Sequence, residues 1–380
     1  MSCIYLDNAA TTALSPGVLD AMMPYLTRVY GNPSSQHAAG RESRAAIERA
    51  RSRVEQALSV RSGRIFFTSG GTEADNWAVL GGARAMAHRG RHIITSAIEH
   101  HAVLAAAHRL EREGCTVTFL PVDDRGLVSV EAVREAVRPD TALISVMMAN
   151  NEVGTLQPIR EIGELAREQG ILMHTDGVQA LGNLPIDLSE LPVDLLSLSG
   201  HKINGPKGVG ALYVGKGAAL EALLLGGAQE RGQRAGTENV PAIVGMGEAV
   251  VQITADIDAR TAHIEALRNF LLEEIRARIP RVRLNGHPEK RLPGILNLCV
   301  EGIRGEALLP ALDLKGLAAS SGAACTAGSP DPSHVLLAMG LSREQALASL
   351  RFSLGEDNTA REMQAAARIL EEVVAQLRTF

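Results

Sequence analysis

Four cysteines in 380 residues, Cys3, Cys115, Cys299 and Cys325, never fall at C-x-x-C spacing. In a chain this long, that argues against a disulfide framework and against a structural zinc site. Cys115 and Cys299 sit beside β-branched and aliphatic residues and read as small core fillers. A reducing, cytoplasmic setting is therefore expected. No apolar run approaches the roughly 20 residues needed to cross a bilayer. The stretch from Met1 to Asp7 lacks the basic and apolar regions of a signal peptide. A net charge of −5 leaves no electrostatic footprint for nucleic acid or an anionic membrane. There is no G-x-G-x-x-G after the first strand, which counts against a dinucleotide-binding fold. Internal repeats and low-complexity segments are absent as well.

What is present is a large apolar fraction, 46% of residues, in a chain longer than one core usually serves, so two domains are expected. Ser15-Pro16 opens a helix with an N-cap and a first-turn proline, and Val18, Met22, Leu26 and Val29 follow at helical spacing. From Arg64 to Val214, short apolar runs alternate with amphipathic stretches. The predicted strands are 65–68, 93–96, 117–120, 143–147, 171–174, 195–198 and 210–214. Predicted helices between them cover 72–87, 102–113, 129–137 and 159–168. This alternation predicts an α/β fold with a mostly parallel, seven-stranded sheet covered on both faces. A helical region over about 241–279 leads to a smaller α+β part, with strands near 281–284, 295–300 and 349–353 and a closing helix over 359–377.

The run Val193 to Lys202 is the most telling: an apolar strand ends abruptly in Ser199-Gly200-His201-Lys202, and a Gly/Pro-rich turn follows. A lysine at a strand exit, taken alone, reads as a surface charge. Burial there instead favours the neutral amine that a Schiff base requires. Upstream, the strand from Ile171 delivers Asp176, with Gln179 one turn on. Earlier still, Phe67-Thr68-Ser69-Gly70-Gly71-Thr72 reads as strand, glycine turn and helix start, whose N–H groups and Thr72 hydroxyl make an anion cradle. Gly-Gly-Thr alone is a weak signal. The order cradle, aspartate, lysine is a strong one, because pyridoxal phosphate (PLP) needs a phosphate site, a carboxylate at its pyridine nitrogen and an amine. Gln179 supplies a donor for the phenolic oxygen, and Ser199 and His201 flank the lysine within reach of a phosphate.

Further segments carry a resemblance. They include Tyr5 to Thr12, Tyr30 to Ser35, Phe67 to Asn76, Met148 to Thr155, Arg234 to Asn239, Ser320 to Thr326 and Arg351 to Gly355. Together they span nearly the whole chain. The sequence resembles the cysteine desulfurases of the nitrogen-fixation/iron–sulfur-assembly (NifS/IscS-like) group, within the class-V aminotransferase family of fold-type I PLP enzymes.

The resemblance implies a large PLP-binding domain over 16–255. A small domain would combine 1–15 with 256–380 and carry a catalytic cysteine loop at about 318–333. It implies that Lys202 holds the cofactor and that His100 stacks on its ring and relays protons, while His101 points away. Asn151 and Arg351 are implied to bind the substrate α-carboxylate. Gly71, Thr72, Asp176, Gln179, Ser199 and His201 are the other implied cofactor contacts. Thr237 would reach the cofactor phosphate of a second subunit, making a homodimer with shared sites. Cys325, among small residues, would attack the sulfur of L-cysteine, hold it as a persulfide beside the product alanine, and pass it to an iron–sulfur scaffold or other acceptor. No resident metal is implied, with Cys325 at most a transient iron–sulfur ligand. Ala323 stands where many relatives have serine. The absence of an acidic and aromatic tail after Leu377 leans toward the nitrogen-fixation type. A selenocysteine lyase, another class-V aminotransferase, or a sulfur-delivery platform are the alternative readings.

Overall fold

The structure, a computed structural model, describes residues 3–303, 305–321 and 331–378. A short strand β1 (Ile4–Tyr5) precedes α1 (Pro16–Thr27) and α2 (Ala38–Ala57). Ser15 caps α1 by accepting from the Val18 N–H, as its Ser-Pro start predicts. Helix α2 was not predicted. Its buried face is narrow, chiefly Ala46, Ile47, Ala50 and Val54, and its surroundings are heavily charged.

Strand β2 (Arg64–Thr68) turns at Gly70 into one helical run: α3 (Gly71–Asn76), a π-helical turn at Trp77–Gly81, and α4 (Gly82–Ala85). The chain then alternates through β3 (His92–Ser96), α5 (His101–Arg112), β4 (Thr116–Leu120), α6 (Val130–Ala136), β5 (Thr141–Ser145), α7 (Ile159–Glu168) and β6 (Leu172–Asp176). Strands β7 (Leu195–Ser199) and β8 (Gly210–Val214) complete a seven-stranded sheet of order β2-β8-β7-β6-β5-β3-β4. Only β8 runs against its neighbours.

Both faces of this sheet are buried, and the strand period of two divides the residues between two cores. Ile94, Ile144, Met173 and Leu198 face α2, α6, α7 and the later helix α8 (Val240–Ala255). Ile93, Leu143, Leu172 and Leu195 face Trp77 and the α3–α5 side.

The predicted helical region 241–279 is two helices. After α8, the chain breaks at Asp256 and bends by 75° into α9 (Ile257–Arg278). There follow β9 (Val282–Asn285), β10 (Ile295–Val300), α10 (Leu308–Leu314), β11 (Leu317–Ala318), α11 (His334–Ala338), α12 (Arg343–Leu347), β12 (Ser349–Ser353) and α13 (Ala360–Arg378). A second, antiparallel sheet has the order β12-β10-β9, and β1 pairs with β11. Leu6, Leu271, Leu298, Phe352 and Leu370 close a further core between this sheet and helices α9 and α13. Among the described residues, no single helix is long and apolar enough to cross a membrane.

Candidate active site

A cavity of about 590 Å³ opens where β5, β6 and β7 end, beside the N-terminus of α3. Gly71, Thr72, His100, Asn151, Asp176, Gln179, Ser199, His201, Lys202 and Arg351 all line it. Residues predicted from positions far apart in sequence thus meet at the C-terminal edge of a parallel sheet, where open α/β folds bind ligands. A second cavity of about 530 Å³ shares Ala9, Thr11, Gln179 and Lys202 but none of Asp176, Ser199 or His100.

Strand β6 extends two residues beyond its predicted end, because Thr175 and Asp176 pair with Leu196 and Ser197 on β7. This carries Asp176 into the cavity wall. Its Oδ1 accepts from the Val178 N–H at 2.9 Å. Burial pushes the carboxyl above its ordinary pKa, against the pull of His100, the Val178 N–H and Lys202. A carboxylate so placed is matched by a cation in the cavity, which a protonated pyridine ring supplies.

Strand β7 ends at Ser199 and tightens into a 3₁₀ turn, Gly200–Lys202, which swings Lys202 inward. Its Nζ donates to the carbonyls of Ala9 and, at 2.8 Å, Ala10. The Gln179 side-chain amide donates to the same Ala9 carbonyl at 2.9 Å. The sequence reading missed the segment after β1 as the resting partner of both groups. The one signal for it was the unbroken motif Tyr5 to Thr12.

The α3 N-terminus has no side-chain cap, so its first N–H groups point out of the helix without an intrahelical acceptor. Beside it, the buried Ser199 Oγ has no hydrogen-bond partner. A Cβ on Gly71 would lie 2.8 Å from Val178 Cγ2 and 3.4 Å from Ser199 Cβ, so any side chain there would crowd the cradle. Unsatisfied donors and an orphan hydroxyl around a space kept open by glycine fit a phosphate. The first turn is fixed from outside by Glu73, which accepts from Arg234 Nε at 2.8 Å and Nη2 at 3.0 Å and from the Ser69 N–H at 2.8 Å.

His100 is the N-cap of α5, its Nδ1 accepting from the Ala102 N–H at 3.2 Å. That assignment leaves the neutral ring's proton on Nε2. Burial lowers its pKa, with Lys202, His101 and His334 adding to the effect and Asp176 opposing it. His201 is pushed down to about 4 by burial and by Lys202 and Lys207, and its Nδ1 lies 3.2 Å from Thr11 Oγ1. Both rings are therefore neutral at pH 7. His101 sits at the surface with its ring 4.7 Å from that of His334.

Arg351 on β12 is 1% exposed. One guanidinium nitrogen donates to Asp7 Oδ1 at 2.8 Å and another to the Asn151 carbonyl at 2.9 Å, while Nε has no partner. Asp7 as the counter-charge was not foreseen. Thr237 is exposed and does not line the cavity. Cys325 lies outside the described residues. Of the described cysteines, Cys3 is exposed, Cys115 half-buried and Cys299 buried, and none lines the main cavity.

The sequence profile of the family described as "Aminotransferase class-V" matches residues 4–366. The chain belongs to the class-V aminotransferase family. Within that family it stands among the cysteine desulfurases. A relative named cysteine desulfurase IscS from Methanosarcina thermophila is 51% identical over 99% of this chain and 93% of its own length. One of the same name from Clostridium botulinum is 48% identical, over 99% and 95%. Among solved structures, a "NIFS-like protein" superposes with a TM-score of 0.92 at 38% identity, covering 99% of this chain and all of that one. A structure titled "SspA in complex with cysteine" gives 0.81 at 37%, over 93% and 99%. Class-V enzymes are PLP-dependent, and the cavity of this class-V chain has the phosphate cradle, buried acid and inward lysine that such a cofactor needs.

Proposed function

We propose that the chain is a cysteine desulfurase that holds PLP in the cavity at the ends of β5, β6 and β7. There it converts L-cysteine to L-alanine and a persulfide on Cys325. The observation that supports this best is the meeting of Lys202, Asp176, the unpartnered Ser199 hydroxyl and the uncapped α3 N-terminus in one cavity, with Arg351 on its rim.

Lys202 would hold the cofactor covalently. Asp176 would face its ring nitrogen and Gln179 its phenolic oxygen, while Gly71, Thr72, Ser199 and His201 take the phosphate. Bound PLP supplies an electron sink for the pair of electrons left when the substrate loses its Cα proton. The substrate carboxylate takes the unpartnered Nε of Arg351, helped by Asn151, while Asp7 keeps the guanidinium oriented. That fixes the Cα–H bond toward Lys202. Lys202 Nζ, freed when the substrate amine takes its place on the cofactor, would remove the proton and later return one. His100, neutral with its proton on Nε2, would serve as a hydrogen-bond donor. The Cys325 thiolate forms a bond to the substrate sulfur as the Cβ–S bond breaks, and that electron pair stays with the three-carbon product, which gains protons to become alanine.

The exposed Thr237 is assigned to the cofactor phosphate of a second subunit, so the working unit is a homodimer. The persulfide goes on to an iron–sulfur scaffold or another acceptor in the cytoplasm.

The test is direct. Purified protein supplied with L-cysteine should release alanine, and mass spectrometry after brief exposure should find one added sulfur on the Cys325 peptide. Cys325→Ala should keep its yellow cofactor yet form almost no persulfide or alanine. Added sulfur on Cys3, Cys115 or Cys299, or full activity in the alanine variant, would overturn the assignment.

A further inference from the structure

Beneath the cavity, a chain of buried polar groups takes no part in the mechanism above. Ser145 Oγ on β5 lies 2.8 Å from His174 Nδ1 on β6. His174 Nε2 lies 3.0 Å from Ser197 Oγ on β7 and 3.7 Å from Asp75 Oδ1 on α3. Ser197 also lies near enough to Asp75 to favour its charged form. Each of these four residues is at most 1% exposed. Asp75 also lines the cavity, and its buried Oδ1 has no hydrogen-bond partner.

The titratable acids that face Asp75 are Asp176 on β6 and Glu99 beyond β3, and Glu99, lifted to about 8 by burial, is mostly protonated at pH 7. His174, pushed down to about 3 by burial, brings no positive charge. Two carboxylates sharing one desolvated site do not both ionise. A protonated ring nitrogen in the cavity balances one negative charge and no more. Asp176 accepts from the Val178 N–H and has Lys202 beside it, both favouring its charged form. Asp75 has only Ser197 doing so, against burial and the repulsion of Asp176.

We propose that Asp75 is a second carboxyl of the cofactor pocket, kept protonated and held in place by Ser197 and His174, so that the negative charge facing the ring nitrogen resides on Asp176 alone. It is a positioning residue, acting through Asp176. The inference rests on PLP occupying this cavity. Burial and the neighbouring Asp176 place the Asp75 carboxyl well above its ordinary pKa, in agreement with the geometry.

The experiment uses the holoenzyme at pH 7. The cofactor dissociation constant should change less than about threefold in Asp75→Asn, a neutral isostere of the same shape. It should rise about 30-fold or more in Asp176→Asn, which removes a buried charge. Infrared spectra in a Glu99→Gln, Glu152→Gln background, which removes the contributions of two other buried acids with raised pKa, should show a protonated-carboxyl stretch. The band should vanish on adding Asp75→Asn and persist on adding Asp176→Asn. Asp75→Asn losing cofactor as severely as Asp176→Asn, or leaving the band intact, would overturn the proposal. If Asp75→Asn does not fold, carboxyl carbon shifts of the ¹³C-aspartate-labelled wild-type holoenzyme decide, since no protonated aspartate at pH 7 would equally refute it. Failure of the wild-type chain to bind PLP at all would instead defeat the underlying reading.

Discussion

Glu230→Ala should destabilise the protein by about 3–5 kcal/mol, the usual cost of removing one partner of a buried ion pair. Arg51 in the middle of α2 and Glu230 in the loop before α8 form a two-pronged pair, both contacts at 2.8 Å, with side chains only 5% and 3% exposed. Glu230 also accepts from the Phe67 N–H at 3.0 Å, and Arg51 donates to the Ile65 carbonyl at 2.6 Å. Burial works against the Arg51 charge, but Glu230 outweighs it and holds the guanidinium above its ordinary pKa. Deleting the carboxylate leaves the buried guanidinium with the half-exposed Glu48, 3.3 Å from Nε, as its remaining acid, and orphans a strand N–H. Replacing both partners with apolar residues, Arg51→Met with Glu230→Leu, should recover most of the loss, because no buried charge remains. Urea unfolding followed by fluorescence is the assay. Trp77, the one tryptophan, packs edge-on against Phe66 at 5.7 Å, on the strand that Glu230 anchors. A loss below about 1 kcal/mol for Glu230→Ala, or a double variant no more stable than the single, would refute this reasoning.

Two further outcomes are expected. Glu99 accepts from Ser96 Oγ at 2.5 Å and from the Met147 N–H at 3.0 Å, but its other oxygen is buried without a partner, and burial lifts its pKa to about 8. The unfolded chain, with an ordinary glutamate near 4.3, gives up this proton first. Stability therefore falls as pH rises from about 4 to about 8, by at most about 5 kcal/mol, and then levels. Glu99→Gln should flatten that slope in melting curves between pH 5 and pH 8, and an unchanged slope would show the carboxyl already ionised. Arg351→Ala should raise KM for cysteine by the equivalent of about 2–4 kcal/mol, with some loss of kcat. Asp7→Asn should raise KM less, since it loosens the guanidinium without removing it. Steady-state kinetics on both variants decide this, and an unchanged KM in Arg351→Ala means that the carboxylate is held elsewhere.

Much of this protein is written in local pattern. The seven strands of the main sheet read as apolar runs, and helix α7 matches its predicted bounds because its apolar residues repeat at helical spacing. Asp176, Ser199 and Lys202 were legible for a related reason: each is a polar residue at the end of a buried strand, where chain continuity alone places it at the sheet edge. Helix α2 was not legible, since its narrow alanine-rich face becomes a core face only when α8 lies against it. The break at Asp256 was hidden inside a continuous helical pattern for the same reason. The pairs that set the electrostatics lay further beyond reach. Arg351 meets Asp7 across 344 positions, and Lys202 meets Ala10 across 192. Asp75, on a helix, acquires its acidic neighbours, Asp176 at the end of β6 and Glu99 just before α5, only through tertiary packing. Sequence specifies which groups are polar and which element carries them. Which group loses its water, and which distant partner replaces that water, is decided only when the sheet and helices close around them.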